Sequence, residues 1–94
     1  MDTAISYIQD SKKYTRQQQR KAITGAVVDN HMRHIEWFYE LDILPEQMLQ
    51  YVIAEHVDCI IVMTEDALGS NETEIVASYE ALLTSGTDVL VIAD

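Results

Sequence analysis

Hydrophobic positions along this chain switch between two periods. Thr3-Ala4-Ile5-Ser6-Tyr7-Ile8 is a short, mostly apolar run of strand length, whereas beyond Thr15 the apolar residues Ala22, Ile23, Ala26 and Val27 recur at helical spacing. Thr15 is a suitable N-cap, Arg16, Arg20 and Lys21 fall on the solvent side, and Gly25 weakens the helix without ending it. His34-Ile35-Glu36-Trp37-Phe38-Tyr39 predicts a second strand whose aromatic residues alternate inward. Pro45 suits the first turn of a second helix, with Met48, Leu49, Val52 and Ile53 inward and a stop near His56. Val57 to Met63, apolar apart from Asp58, reads as a strand covered on both faces. A third helix starts at Asn71 with Glu74 three residues on, turns Ile75, Tyr79, Leu82 and Leu83 inward and ends at Gly86. Val89 to Ile92 forms the last strand.

Strands alternating with helices call for a parallel sheet with right-handed crossovers. The fold class expected is α/β: a four-stranded parallel sheet in the order 2-1-3-4, with helices on both faces. Ligands of such sheets sit beyond the carboxyl ends of the strands, where the winding reverses between strands 1 and 3. The loops meeting there are Gln9 to Tyr14 and Thr64 to Ser70.

Ninety-four residues with 48% hydrophobic content suffice for one core and one domain. The single cysteine, Cys59, excludes a disulfide scaffold and makes a reduced, cytoplasmic compartment the expectation. Purely apolar runs such as Ile60 to Met63 are too short for a membrane span, and the amino terminus does not read as a signal peptide. Charge is strongly asymmetric. All six basic residues lie within the first 33 positions, facing only Asp2, Asp10 and Asp29, so that segment is net +3; the other 13 acids follow without a single Lys or Arg. A chain two thirds of which repels phosphate is expected to bind DNA weakly or not at all. The excess of acids also has the plain reading of keeping a small domain in solution.

At the two strand-end loops the chain resembles the resolvase/invertase family of serine recombinases. Tyr7-Ile8-Gln9-Asp10-Ser11 is similar to the family's Tyr-x-Arg-x-Ser element, with Ser11 at the nucleophile position, and Thr15-Arg16-Gln17-Gln18-Gln19-Arg20 to the Gln-containing start of its first helix. Glu65-Asp66-Ala67-Leu68-Gly69-Ser70-Asn71 resembles Leu-Asp-Arg-Leu-Gly-Arg-Asn, which gives Asp66 a motif position. The rhythm continues through Glu74-Ile75 and the closing Gly86 to Ile92, so the resemblance runs from about Ala4 to Asp94. It implies a serine hydroxyl that attacks a DNA phosphodiester to form a 5′-phosphoserine, with clustered arginines neutralising the phosphate.

The departures from that pattern remove the family's cations. Gln9, Ala67 and Ser70 stand where the family has arginines, and Glu40 to Pro45 matches neither the Ser-Gly nor the Arg-Pro element. Phosphoryl transfer rests on positioning and electrostatics, and loss of one stabilising donor costs about 3–4 kcal/mol in a barrier. Asp10, Glu65 and Asp66 have the wrong sign. Lys12, Lys13 and Arg16 lie close in sequence to Ser11, but occupy no family catalytic position, and lysine lacks the bidentate fork. The expectation is a pseudo-recombinase without cofactor, acting through protein contacts. Its partners would be a second copy, a recombinase or a basic protein.

Three alternatives stand beside that reading. One is a recombinase fragment still using Ser11, one an acidic mimic of DNA, and one a receiver-like module holding Mg²⁺ on Asp10, Glu65 and Asp66. His31, His34 and His56 do not have zinc spacing and read as structural. Set against the family, the chain is one resolvase-like domain lacking the C-terminal dimerisation helix and the DNA-binding domain. Uncovered apolar positions near Val89 and Val91 then favour a dimer through the sheet edge or a helix face.

Overall fold

The computed structural model describes residues 1–40 and 45–93. Among these, β1 (Thr3–Ile8), β2 (Arg33–Tyr39), β3 (Cys59–Val62) and β4 (Asp88–Val91) form one parallel sheet in the order β2-β1-β3-β4. The connections are α1 (Arg16–Asp29), α2 (Pro45–Ala54) and α3 (Glu72–Thr84), with one 3₁₀ turn (Glu65–Leu68) ahead of α3. The α/β class and the strand order expected from the pattern are those observed.

Period-two alternation along the strands divides the core between two faces. Ile5, Tyr7, Ile60 and Val62 point to one, where Met48 and Val52 of α2 and Leu82 of α3 cover them. Ala4, Ile8, Cys59 and Ile61 point to the other, where α1 contributes Ile23 and Val27. Trp37 and Tyr39 join the α1 side and Phe38 the opposite side, so the aromatic run does alternate. The β1–β2 register slips by one between Ala4–His34 and Ile5–Glu36, leaving Ile35 as the extra residue. Asp58, the polar break in the third apolar run, precedes β3, where its carboxylate accepts hydrogen bonds from the Thr3 backbone N–H (2.9 Å) and hydroxyl (3.1 Å). That ties the start of β1 to the entry of β3.

All three helices end in the same device. At each C-terminus the chain makes paired 6→1 and 5→2 backbone bonds: Met32 to Val27 with His31 to Val28, Val57 to Val52 with His56 to Ile53, and Thr87 to Leu82 with Gly86 to Leu83. The residue in the left-handed region is Gly86 in the last case (φ +83°), and His31 (φ +54°) and His56 (φ +52°) in the others. Two of the three histidines are therefore helix stops.

Inward faces depart from expectation at two positions. Ile53 is 45% exposed and Leu83 63% exposed. Each follows a better-placed neighbour, Val52 or Leu82, and a 100° step per residue carries the second of an adjacent pair off the buried meridian. On α3 the remaining inward place goes to Ser78, whose hydroxyl donates to the Leu68 carbonyl at 2.7 Å. Among the described residues no helix is long and apolar enough to cross a membrane.

Candidate functional site

The carboxyl ends of β1 and β3 open into a cleft of about 980 Å³. Gln9 enters it from the β1–α1 loop, Asp66, Ala67 and Ser70 from the segment after β3, so four of the five expected site residues wall one space. Ser11 is not among the residues that wall it. It stands exposed on the loop beside the cleft, where its Oγ accepts the backbone N–H groups of Lys13 (3.0 Å) and Tyr14 (3.4 Å). That is the local work of a turn serine.

Each position where the resemblance calls for arginine performs a neutral task. The Gln9 backbone is bracketed by the Gln19 side chain, which accepts its N–H (3.2 Å) and donates to its carbonyl (2.7 Å). Ala67 is 4% exposed and belongs to the core beneath α3. Ser70 donates its hydroxyl to the Glu74 carboxylate at 2.8 Å. Between them, Gly69 lies against the first turn of α3, and a Cβ there would stand 2.6 Å from the Glu74 Cβ and 2.8 Å from the Ile75 nitrogen. Glycine is required by close approach. Asn71 then caps α3, its Oδ1 accepting the Glu74 N–H at 2.9 Å.

Thr15 caps α1 in a full capping box with Gln18. One turn on, Gln19 is buried and reaches back into the β1–α1 loop, donating to the Tyr14 carbonyl at 3.1 Å as well as binding Gln9. Gln19 was legible in the sequence only as part of a resemblance. Its physical signal is its place four residues before Ile23, on the buried meridian of α1.

The electrostatics of the cleft are acidic. Among the described residues, Glu40, Glu46, Asp66 and Glu74 line it, and no lysine or arginine does. Burial, with Glu40 and Glu46 adding to it, pushes the Tyr7 phenol up to about 12. Glu40 also accepts the Asp10 backbone N–H at 2.8 Å. Two of the three cations nearest Ser11 in sequence are engaged elsewhere: Arg16 pairs with Asp10 at 3.1 Å and lies 5.4 Å from the Tyr39 ring centre, while Lys13 lies over Tyr14. Asp10 is thus committed to Arg16, Glu65 accepts from the Tyr79 hydroxyl at 3.3 Å, and no three His, Cys, Asp or Glu side chains among the described residues converge as a metal site. The part of the segment after β2 that departs from the Ser-Gly and Arg-Pro elements, residues 41–44, lies outside the described residues.

A second polar cluster sits on the α1 side of the sheet. Fully buried Ser6 is hydrogen-bonded through its Oγ to His34 Nε2 at 2.7 Å. The His34 ring packs 4.3 Å from Trp37, whose other neighbour is the Arg20 guanidinium at 4.4 Å; Arg20 also donates to the Tyr39 hydroxyl. Burial lowers the His34 pKa, Arg20 lowers it further, and Glu36 opposes them. Cys59 is buried, and burial with Asp88 nearby raises its thiol to about 11, leaving it protonated and unreactive at neutral pH.

No protein-family model matches the sequence, and none of the curated proteins does. Solved structures do. A resolvase-family site-specific recombinase from Streptococcus pneumoniae matches 98% of this chain and 72% of its own, at a TM-score of 0.83 and 9% identity. The N-terminal catalytic domain of TP901-1 integrase matches over 97% of this chain and 77% of its own, at a TM-score of 0.80 and 14% identity. At such identities the likeness lies in the fold: over nearly its whole length, this chain has the α/β fold of resolvase-family serine recombinases.

Proposed function

We propose that this domain keeps the recombinase fold without strand-exchange chemistry, and that it acts through contacts with other protein chains in a DNA-recombination setting. The observation that carries the reading is the sign of the strand-end cleft, walled among the described residues by four carboxylates and no cation. Two like unit charges 4 Å apart repel by about 4 kcal/mol at the effective dielectric of a protein surface. A phosphodiester entering this cleft meets repulsion where phosphoryl-transfer sites supply compensation. The Ser11 oxygen, accepting two backbone N–H groups, is arranged as a turn cap, and Arg16 is already neutralised by Asp10.

A protein partner suits the charge distribution better than a nucleic acid does. From His34 onward the chain offers only acids, which favours a basic protein surface or a recombinase as the heteromeric partner. A gel-shift titration with duplex DNA at physiological salt tests the reading. No retardation is expected at micromolar protein. A salt-sensitive shift with a Kd within or below the roughly 10⁻⁴–10⁻⁶ M of non-specific binders contradicts it.

A further inference from the structure

The two faces of the sheet are unequally covered. Among the described residues, α2 and α3 share one, whereas α1 alone serves the other, where Leu90 and Ile92 at the end of the last strand are only half-buried. Between the flank of α1 and Ile92 runs a second groove, of about 520 Å³. Its helical wall is made by Ala22, Gly25 and Ala26, with Lys21 and Asp29 on the same wall. Val28, three residues on from Gly25, is 65% exposed.

We infer that this groove is a self-docking surface, in which α1 of one copy crosses α1 of a second copy antiparallel about a two-fold axis near Gly25. Charge complementarity selects a second copy as the occupant. Lys21 lies four residues before Gly25 and Asp29 four after it, so at 1.5 Å per residue each stands about 6 Å from the crossing point. Antiparallel pairing therefore sets Lys21 of each copy beside Asp29 of the other, the self-complementary pattern that a two-fold interface demands. Gly25 supplies the close approach. A Cβ there would meet nothing within 4 Å inside its own chain, so no internal packing calls for glycine at a position where alanine makes the better helix.

The long-range field agrees. Each copy carries −10, but the acids after Arg33 account for −13, and every basic residue lies in the segment that contains α1. Approach through α1 keeps the acidic α2–α3 faces apart. The inference goes beyond the proposed loss of chemistry and holds whether or not Ser11 reacts.

Sedimentation equilibrium of the full chain over a concentration series tests it. A reversible dimer is expected. Gly25→Glu should weaken association at least tenfold while the thermal midpoint holds or rises, because the position is open and glutamate is the better helix former. Lys21→Asp should likewise give monomer, and Lys21→Asp with Asp29→Lys should restore the dimer by exchanging the two ends of each pair. A wild-type monomer at every concentration overturns the inference. So does a dimer indifferent to Gly25→Glu, which would place pairing at the β4 edge or another face, or a double variant that stays monomeric.

Discussion

Replacing Gln19 by leucine should loosen the whole β1–α1 loop while leaving the core volume nearly unchanged. The Gln19 side chain, 1% exposed, makes three hydrogen bonds to that loop: Gln9 N–H at 3.2 Å, Gln9 carbonyl at 2.7 Å and Tyr14 carbonyl at 3.1 Å. A net worth of about 0.5–1.5 kcal/mol per bond puts the loss near 3 kcal/mol, reduced where water reaches the freed groups. For a domain of this size that lowers the Tm by roughly 12–24 °C, at about 4–8 °C per kcal/mol. Gln19→Glu should be no better. It keeps an acceptor for the Gln9 N–H but turns a buried charge toward two carbonyls that need a donor. Urea unfolding followed by circular dichroism gives the stability change, and hydrogen exchange at residues 9–14 locates it. If Gln19→Leu unfolds within 0.5 kcal/mol of wild type, or the loop amides keep their protection, Gln19 does not hold the loop and the reasoning fails.

Two further perturbations test the structural account. His56→Gly removes a Cβ from the left-handed stop of α2 and should stabilise the protein by about 1 kcal/mol, measured as a higher urea midpoint; a loss of stability would show that the imidazole makes contacts worth more than the backbone strain. Because the His34 pKa is lowered in the folded state, the unfolded chain binds the proton more tightly, so stability from this residue is complete above about 6.5 and drains away as the pH falls through that value toward the folded pKa. Wild type should therefore lose stability relative to His34→Gln between pH 7.5 and 5, and equal pH profiles would refute the assignment.

Much of this architecture was readable because hydrophobic period and capping chemistry act locally. Thr15 and Asn71 cap their helices, the aromatic residues of β2 alternate, and the crossover rule with the strand sequence yields the order β2-β1-β3-β4. What escaped depends on partners distant in the chain. Leu83 carries the same pattern as Leu82 and differs only in facing away from the sheet, and Ser78 is inward because the Leu68 carbonyl needs its hydroxyl. His31 and His56 gave no sign of a left-handed conformation, which sequence assigns by default to glycine or asparagine. In the site, the strand-end rule brought Gln9, Asp66, Ala67 and Ser70 to one cleft, but placed Ser11 no more closely than the loop. The acidity of that cleft comes partly from Glu40 and Glu46, which approach from the end of β2 and the start of α2; only the folded sheet sets them opposite Asp66.

The claim that this fold has parted from its chemistry is tested most directly at the Ser11 hydroxyl. Incubation of the full chain with duplex DNA carrying a recombination site, followed by denaturing electrophoresis and mass spectrometry of the Ser11 peptide, reads the covalent step itself. No protein–DNA adduct and an unmodified Ser11 are expected, with Ser11→Ala indistinguishable from wild type. A denaturant-stable adduct that carries a phosphodiester on Ser11 and vanishes in Ser11→Ala would contradict it.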